Sequence, residues 1–209
     1  MRLKQCGAAF AILTSTLAAD RVKVQLNLER KSRPGMNHFG LSSIEFCVGC
    51  PDPHFEGSRI LALGSYHGPD GFKVIGDLTV AVPNMVSTGV KDGHVGHTKL
   101  MNAAQLAGRV VLVLRGRVSL VEKILAAQDA GAIGVVIADD GNCVGMFECG
   151  RAGSPRDGGF SKRDPWQNWR NVAIPAVLVM EKEAERLRNL MGLEKTLVPG
   201  LGEQWIDPD

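Results

Sequence analysis

The stretch that decides the fold is RVVLVLRGRVSLVEKILAAQDAGAIGVVIADD, which runs from Arg109 to Asp140. It begins with a continuous run of β-branched residues and leucines, which is typical of a strand buried on both faces. Apolar residues at helical spacing follow, and a second apolar run, IGVVIA, comes before the last two aspartates. Because strand, helix and strand are joined by short turns, we predict a βαβ unit with two parallel neighbouring strands.

The helix of this unit has its own start and stop signals. Ser119 followed by Glu122 is the pattern of a capping box, and Gly131 stands where a helix commonly ends. Further strands are predicted at 22–28, 39–46, 60–63, 72–82 and 174–180, a loop at 84–99, and a second helix at 181–191. This alternation predicts an α/β fold.

The βαβ unit resembles the protease-associated (PA) domain. That family has a buried strand, an Arg-Gly turn, a helix that carries Lys, a Gly-Ala pair and a second buried strand ending in acidic or amide residues. The matching positions here are Arg115-Gly116, Lys123, Gln128, Ala130-Gly131-Ala132 and Asp139-Asp140, and Ile174-Pro175-Ala176-Val177 matches a later Ile-Pro-x-Val strand. The resemblance covers residues 58–192.

The resemblance implies a mixed β-sheet or open barrel with flanking helices, and a domain that does no chemistry itself. Such domains lie beside protease catalytic domains as lids or partner contacts, and they take part in cargo binding in plant vacuolar sorting receptors. No catalytic residue, metal ligand or cofactor is implied, so the protein is expected not to be an enzyme. Many members read Arg-Gly-x-Cys-x-Phe. Here Val118 stands in place of the Cys and Leu120 in place of the Phe, and the associated disulfide is absent.

The N-terminus predicts the cellular compartment. Residues 1–19 have a basic start, the apolar segment CGAAFAIL and small residues before Asp20, which together are typical of a secretory signal peptide; a buried N-terminal helix is the alternative. The remainder divides into an N-terminal extension (20–57), the PA-like domain (58–192) and a C-terminal tail (193–209). We therefore expect a secreted protein or one in the lumen of the endomembrane system.

Composition limits the class of partner. The chain has 209 residues with 24 Lys plus Arg and 22 Asp plus Glu, a balance that does not favour nucleic acid. No segment reaches the roughly 20 apolar residues that a membrane span needs. His94 and His97 are separated by Val-Gly and lack the helical scaffold of a metal motif. The expected partner is therefore a protein or cargo of the secretory pathway.

Four cysteines follow the predicted signal peptide: Cys47, Cys50, Cys143 and Cys149. Two local disulfides are one of the three pairings that four cysteines allow, and a zinc site built from all four thiolates is the rival. The spacing of Cys47 and Cys50 also matches a redox motif. Pro51 and Pro53 follow at once, however, and oppose the helix that activates such a thiol.

A long glycine-rich insertion between Asp139 and Asn171 carries the candidate interaction residues, Arg163, Trp166, Trp169 and Arg170. Trp166 and Trp169 lie three residues apart, so one turn of helix would place both rings on one side. They either anchor the insertion to the core, which we favour, or form an exposed aromatic and arginine patch with the composition of an interface hot spot.

These observations predict a non-catalytic interaction module. The alternatives are a detached accessory domain of a larger protease or luminal mannosidase-like enzyme, and a disulfide oxidoreductase that uses Cys47 and Cys50.

Overall fold

The computed structural model describes residues 22–28, 40–48, 59–65, 68–69, 71–86, 90–91, 94–95, 100–116, 119–139, 171–199 and 201–208. The strands are β1 (Val22–Leu28), β2 (Gly40–Val48), β3 (Arg59–Gly64), β4 (Phe72–Val80), β5 (Val90–Lys91), β6 (His94–Val95), β7 (Val110–Leu114), β8 (Gly134–Ala138), β9 (Ala176–Val179), β10 (Glu194–Val198) and β11 (Gly202–Ile206). The helices in this part of the chain are α1 (Ala103–Leu106), α2 (Leu120–Asp129) and α3 (Glu181–Leu190).

Seven strands form a closed barrel in the order β1-β2-β3-β9-β8-β7-β4, and β4 returns to β1. Strands β4, β7, β8 and β9 are parallel neighbours, whereas β1, β2 and β3 join the barrel by antiparallel pairing. The predicted parallel pairing of the βαβ unit is confirmed, with Val111 opposite Val135. The mixed sheet is also confirmed, but it is closed where an open barrel was expected.

Closure depends on β1, which pairs with β2 on one side and β4 on the other. Val22, Val24 and Leu26 alternate with polar residues, so the apolar side chains of β1 point into the barrel and are buried there. Strands β1 and β2 both come from 20–57, the part of the chain assigned to an extension from its sequence. They supply two of the seven barrel strands.

The continuous apolar run of β7 is explained by two separate cores. Val111 and Val113 pack outward in the core cluster that contains the buried side of α2. Val110, Leu112 and Leu114 point into the barrel, in the second cluster. Every residue of β7 is therefore buried, as the sequence predicted.

Helix α2 begins and ends at the signals seen in the sequence. The backbone N–H of Glu122 donates to Ser119 Oγ at 3.2 Å, and the Ser119 N–H donates to Glu122 Oε2 at 3.2 Å. Gly131 then adopts φ = 82°, a left-handed conformation that glycine adopts without steric cost. The capping box and the stop at Gly131 are confirmed.

Helix α3 and the β10–β11 hairpin contribute to the barrel core near the carboxyl ends of the parallel strands. Leu187, Leu193 and Trp205 join the same cluster as Leu114 and Val179, and Trp205 is 4% exposed. The predicted tail thus contains a hairpin that packs on the domain. Within the described residues, no helix has the length and apolar character needed to cross a membrane.

Candidate binding surface

The carboxyl ends of β7 and β8 bring two opposite charges together. Arg115 directly follows β7 and Asp139 directly follows β8, so the parallel pairing places them side by side. The Arg115 N–H donates to the Ala138 carbonyl and the Asp139 N–H to the Val179 carbonyl, both at 2.9 Å. In α/β folds, both barrels and open sheets, ligands commonly bind at the carboxyl ends of the parallel strands.

Arg115 and Asp139 form a buried ion pair. Arg115 Nη1 lies 2.9 Å from Asp139 Oδ1, and the two side chains are 6% and 1% exposed. Asp139 Oδ2 is also buried, with no hydrogen-bond partner in the described part of the chain. Because an unpaired buried charge is costly, each of these two side chains stabilises the other in its buried position.

The turn after β4 lies beside this pair and is held by two side chains and a backbone hydrogen bond. Asn102 accepts from the Val82 N–H at 2.9 Å and donates to the Val80 carbonyl at 2.8 Å. Lys123, fully buried on α2, donates to the Met85 carbonyl. The backbone of Asn84 accepts from the Leu114 N–H at 2.9 Å, so the turn is joined directly to the end of β7.

Asn84 also connects this turn to the C-terminal hairpin. Its N–H donates to Gln204 Oε1 at 2.7 Å, and its side-chain amide bonds both the N–H and the carbonyl of Trp205. Asn84 is 1% exposed, so each of these bonds satisfies a group that water does not reach. The hairpin is thereby held over the barrel end.

Gln128 on α2 holds the chain where it returns towards β9. Gln128 Nε2 donates to the Asn171 carbonyl at 3.0 Å, and Gln128 Oε1 accepts from the Ala173 N–H at 2.7 Å. Val172, between these two residues, is 7% exposed and belongs to the core under α2. Both ends of the segment 140–170, here called the connection, are therefore held by polar contacts to the βαβ unit.

Polar side chains of the described residues line a groove on the surface of the domain. Among them, no three His, Cys, Asp or Glu side chains converge as a metal site would require. An open groove of about 600 Å³ follows the outer side of α3 and is lined by Lys182, Glu183, Glu185, Arg186, Asn189 and Leu190. These charged and amide groups suit polar contacts and include no nucleophilic thiol or hydroxyl.

One predicted site residue falls in the described part. Cys47 lies in β2, where its backbone is in register with Lys23 of β1. The others, Cys50, Cys143, Cys149, Arg163, Trp166, Trp169 and Arg170, lie outside the described residues.

Sequence reasoning identified Arg115, Asp139 and Gln128 only as family positions and assigned them no role. Opposite charges directly after two adjacent parallel strands were the signal that could have paired Arg115 with Asp139. Nothing in the sequence pointed to Asn84, because its partners lie about 120 positions away.

The family comparison agrees with this architecture. A family model described as PA domain matches residues 74–187, which is more than half of the chain. This chain belongs to the PA domain family. Strands β1–β3 and the β10–β11 hairpin lie outside the matched residues, although β1–β3 complete the barrel of this PA domain.

Comparisons with curated proteins and with solved structures give less information about this chain. No curated protein matches the chain. Among solved structures it is similar to BSAP, a zinc aminopeptidase from Bacillus subtilis, at 18% sequence identity and a TM-score of 0.37. The match covers 80% of this chain and 28% of that one, so the chain spans less than a third of the aminopeptidase.

Proposed function

We propose that this PA domain is a non-catalytic module of the secretory pathway that binds a protein partner or cargo through the connection. The observation that carries the proposal is that both ends of the connection are held. Asp139 is paired with buried Arg115 at one end, and Gln128 bonds Asn171 and Ala173 at the other.

Held ends favour binding for an entropic reason. A loop that must be ordered on binding loses conformational entropy, and fixed ends reduce that loss. The connection also carries Trp166, Trp169, Arg163 and Arg170, and tryptophan and arginine are enriched at interface hot spots. A connection of this composition is suited to protein recognition.

The position of Cys47 supports a non-catalytic role. Redox Cys-x-x-Cys motifs place their first thiol at a helix N-terminus, which lowers its pKa. Cys47 instead lies within strand β2, opposite Lys23. We accordingly propose a structural role for the cysteines and a secreted or luminal location, where disulfides form.

Affinity capture tests the function. Residues 20–209 are expressed through a secretory route and used to capture proteins from the corresponding lumen, beside a Trp166→Ala/Trp169→Ala variant. Leu197→Ala is the matched control, because Leu197 is 79% exposed and lies outside the connection. We expect the double variant to lose the captured protein and Leu197→Ala to retain it, with both variants melting like the parent.

Two results would contradict the proposal. Unchanged capture by the double variant would show that the tryptophans do not bind the partner. Loss of its cooperative melting transition would show that they anchor the connection to the core. Identification of the captured protein would then separate cargo binding from attachment to an enzyme.

A further inference from the structure

The groove on the outer side of α3 is formed by the exposed face of this helix. Ala184 and Leu187 point the other way and are buried in the barrel core. Lys182, Arg186 and Asn189 follow one another at helical spacing on the exposed face. A volume of about 600 Å³ is that of a site for a small ligand or a short stretch of peptide. All residues that line the groove lie in the described part of the chain, and none belongs to the connection.

The two carboxylates that line the groove already have cations beside them. Glu185 Oε1 lies 2.5 Å from Lys195 Nζ, and Glu185 Oε2 lies 2.9 Å from Arg188 Nη2. Glu183 Oε2 lies 3.7 Å from Arg186 Nη1, a distance at which the charges attract each other without a hydrogen bond. A cationic ligand would therefore have to compete with the protein's own lysine and arginines for these carboxylates.

Lys182 differs from these groups, because no carboxylate pairs with it in the described part of the chain. It is exposed in the first turn of α3, and Arg186 lies one helical turn further along the same face. Like charges at this spacing repel each other, so a bound anion would stabilise both. The groove also offers the side-chain amide of Asn189 and the partly buried apolar side chain of Leu190.

We propose that the α3 groove binds an extended acidic segment of a partner protein. A carboxylate of this segment accepts a hydrogen bond from Lys182, and a neighbouring apolar side chain lies on Leu190. A peptide suits the groove better than a free inorganic anion, because it supplies both of these groups and a backbone that the Asn189 amide can bond. The contacts are exposed to solvent, so the binding is weak and becomes weaker as the salt concentration rises. Because no residue of the connection takes part, this inference does not rest on the proposed function.

Fluorescence anisotropy with the full chain measures this binding. The probe is a short labelled peptide in which glutamate and leucine alternate, and two matched probes replace every glutamate by glutamine or every leucine by glycine. We expect the glutamate–leucine peptide to bind about three- to tenfold more tightly than either matched probe. Equal binding of the glutamine probe would overturn the requirement for an acidic segment, and equal binding of the glycine probe would overturn the apolar contact.

Variants of Lys182 test whether the peptide binds at α3. Lys182→Gln should raise the dissociation constant about two- to fivefold, Lys182→Glu about tenfold, and Lys182→Arg should leave it near the parent value. Because Lys182 is exposed, all three variants should melt like the parent.

Lys73→Gln is the matched control. Lys73 is exposed at the start of β4, and α3 follows the end of β9. Since β4 and β9 run in the same direction, these two points lie at opposite ends of the barrel. An unchanged dissociation constant in Lys182→Glu would overturn the proposal. Equal losses of affinity in Lys182→Gln and Lys73→Gln would also overturn it, because they would show attraction by the overall charge of the domain.

Discussion

The two halves of the barrel differ in what covers their outer faces. In the parallel half, β7 and β8 have α2 against them and every residue of both strands is buried. In the antiparallel half, β3 alternates, with Arg59 and Leu61 exposed and Ile60 and Ala62 buried. The held ends of the connection belong to the covered half, where packing fixes side chains. The other half completes the barrel and leaves Arg59 and Leu61 on the solvent side.

The largest effect should come from removing much of the antiparallel half. A chain limited to residues 58–192 lacks β1, β2 and the C-terminal hairpin, so the inner faces of β4 and α3 lose their partners. We expect it to show no cooperative thermal transition by circular dichroism, whereas 20–209 unfolds cooperatively. A cooperative transition in the short chain would mean that the parallel half folds alone.

Next in size is the loss of a buried charge partner. Asp139→Ala leaves Arg115 buried without its carboxylate and should lower the free energy of unfolding by about 3–5 kcal/mol in urea titrations. The matched variant in the other half is Glu45→Ala, which removes a hydrogen bond from Gln25 at a partly exposed position and should cost about 1 kcal/mol. Equal costs would refute the contrast between the halves.

A smaller difference in the free energy of unfolding is expected between substitutions on the outer faces of the two halves. Val111→Ala deletes a fully buried side chain that packs in the α2 cluster, and we expect it to cost about 2 kcal/mol. Leu61→Ala, on β3, deletes a side chain that is 61% exposed and should cost less than about 1 kcal/mol. Chemical denaturation of both variants gives the comparison, and a reversed order would contradict it.

The smallest effect concerns Glu185, a partly exposed ion-pair group on α3. Burial raises the pKa of Glu185, but hydrogen bonds from Lys195 and Arg188 outweigh it and hold that pKa below its usual value of 4.5. The carboxylate therefore stabilises the fold above pH 4.5, and this contribution is lost as the pH falls through the lowered value. Glu185→Gln should lower the melting temperature by roughly 1–3 °C at pH 7, with a smaller difference near pH 3.

This pH dependence has its own control. Arg186 lies on the same helix, with its Nη1 3.7 Å from Glu183 Oε2, whereas the cations that lower the pKa of Glu185 are Lys195 and Arg188. Glu185→Gln should lower the melting temperature by the same amount in the Arg186→Gln background as in the parent, across the pH range. A larger loss of melting temperature in Glu185→Gln at pH 3 than at pH 7 would contradict the lowered pKa assigned to Glu185.

What the sequence predicted well depends on neighbouring residues. The capping box of Ser119 and the stop at Gly131 involve contacts within a few positions, and the parallel pairing of β7 and β8 follows from a short crossover. The closure by β1 and the bonds of Asn84 join distant segments, and no local pattern specifies such partners. For the site, the family positions Arg115, Asp139 and Gln128 were recognisable, but their contacts required the three-dimensional arrangement.

The bond between Asn84 and Trp205 has a consequence for biosynthesis. Its two residues are separated by 121 positions, so the barrel end stays uncovered until this intervening segment and Trp205 have been synthesised. During this time the apolar surface of the residues already synthesised is accessible to solvent, and aggregation competes with folding. The yield of native protein should therefore depend on chaperone assistance during synthesis more than the small size of the chain suggests.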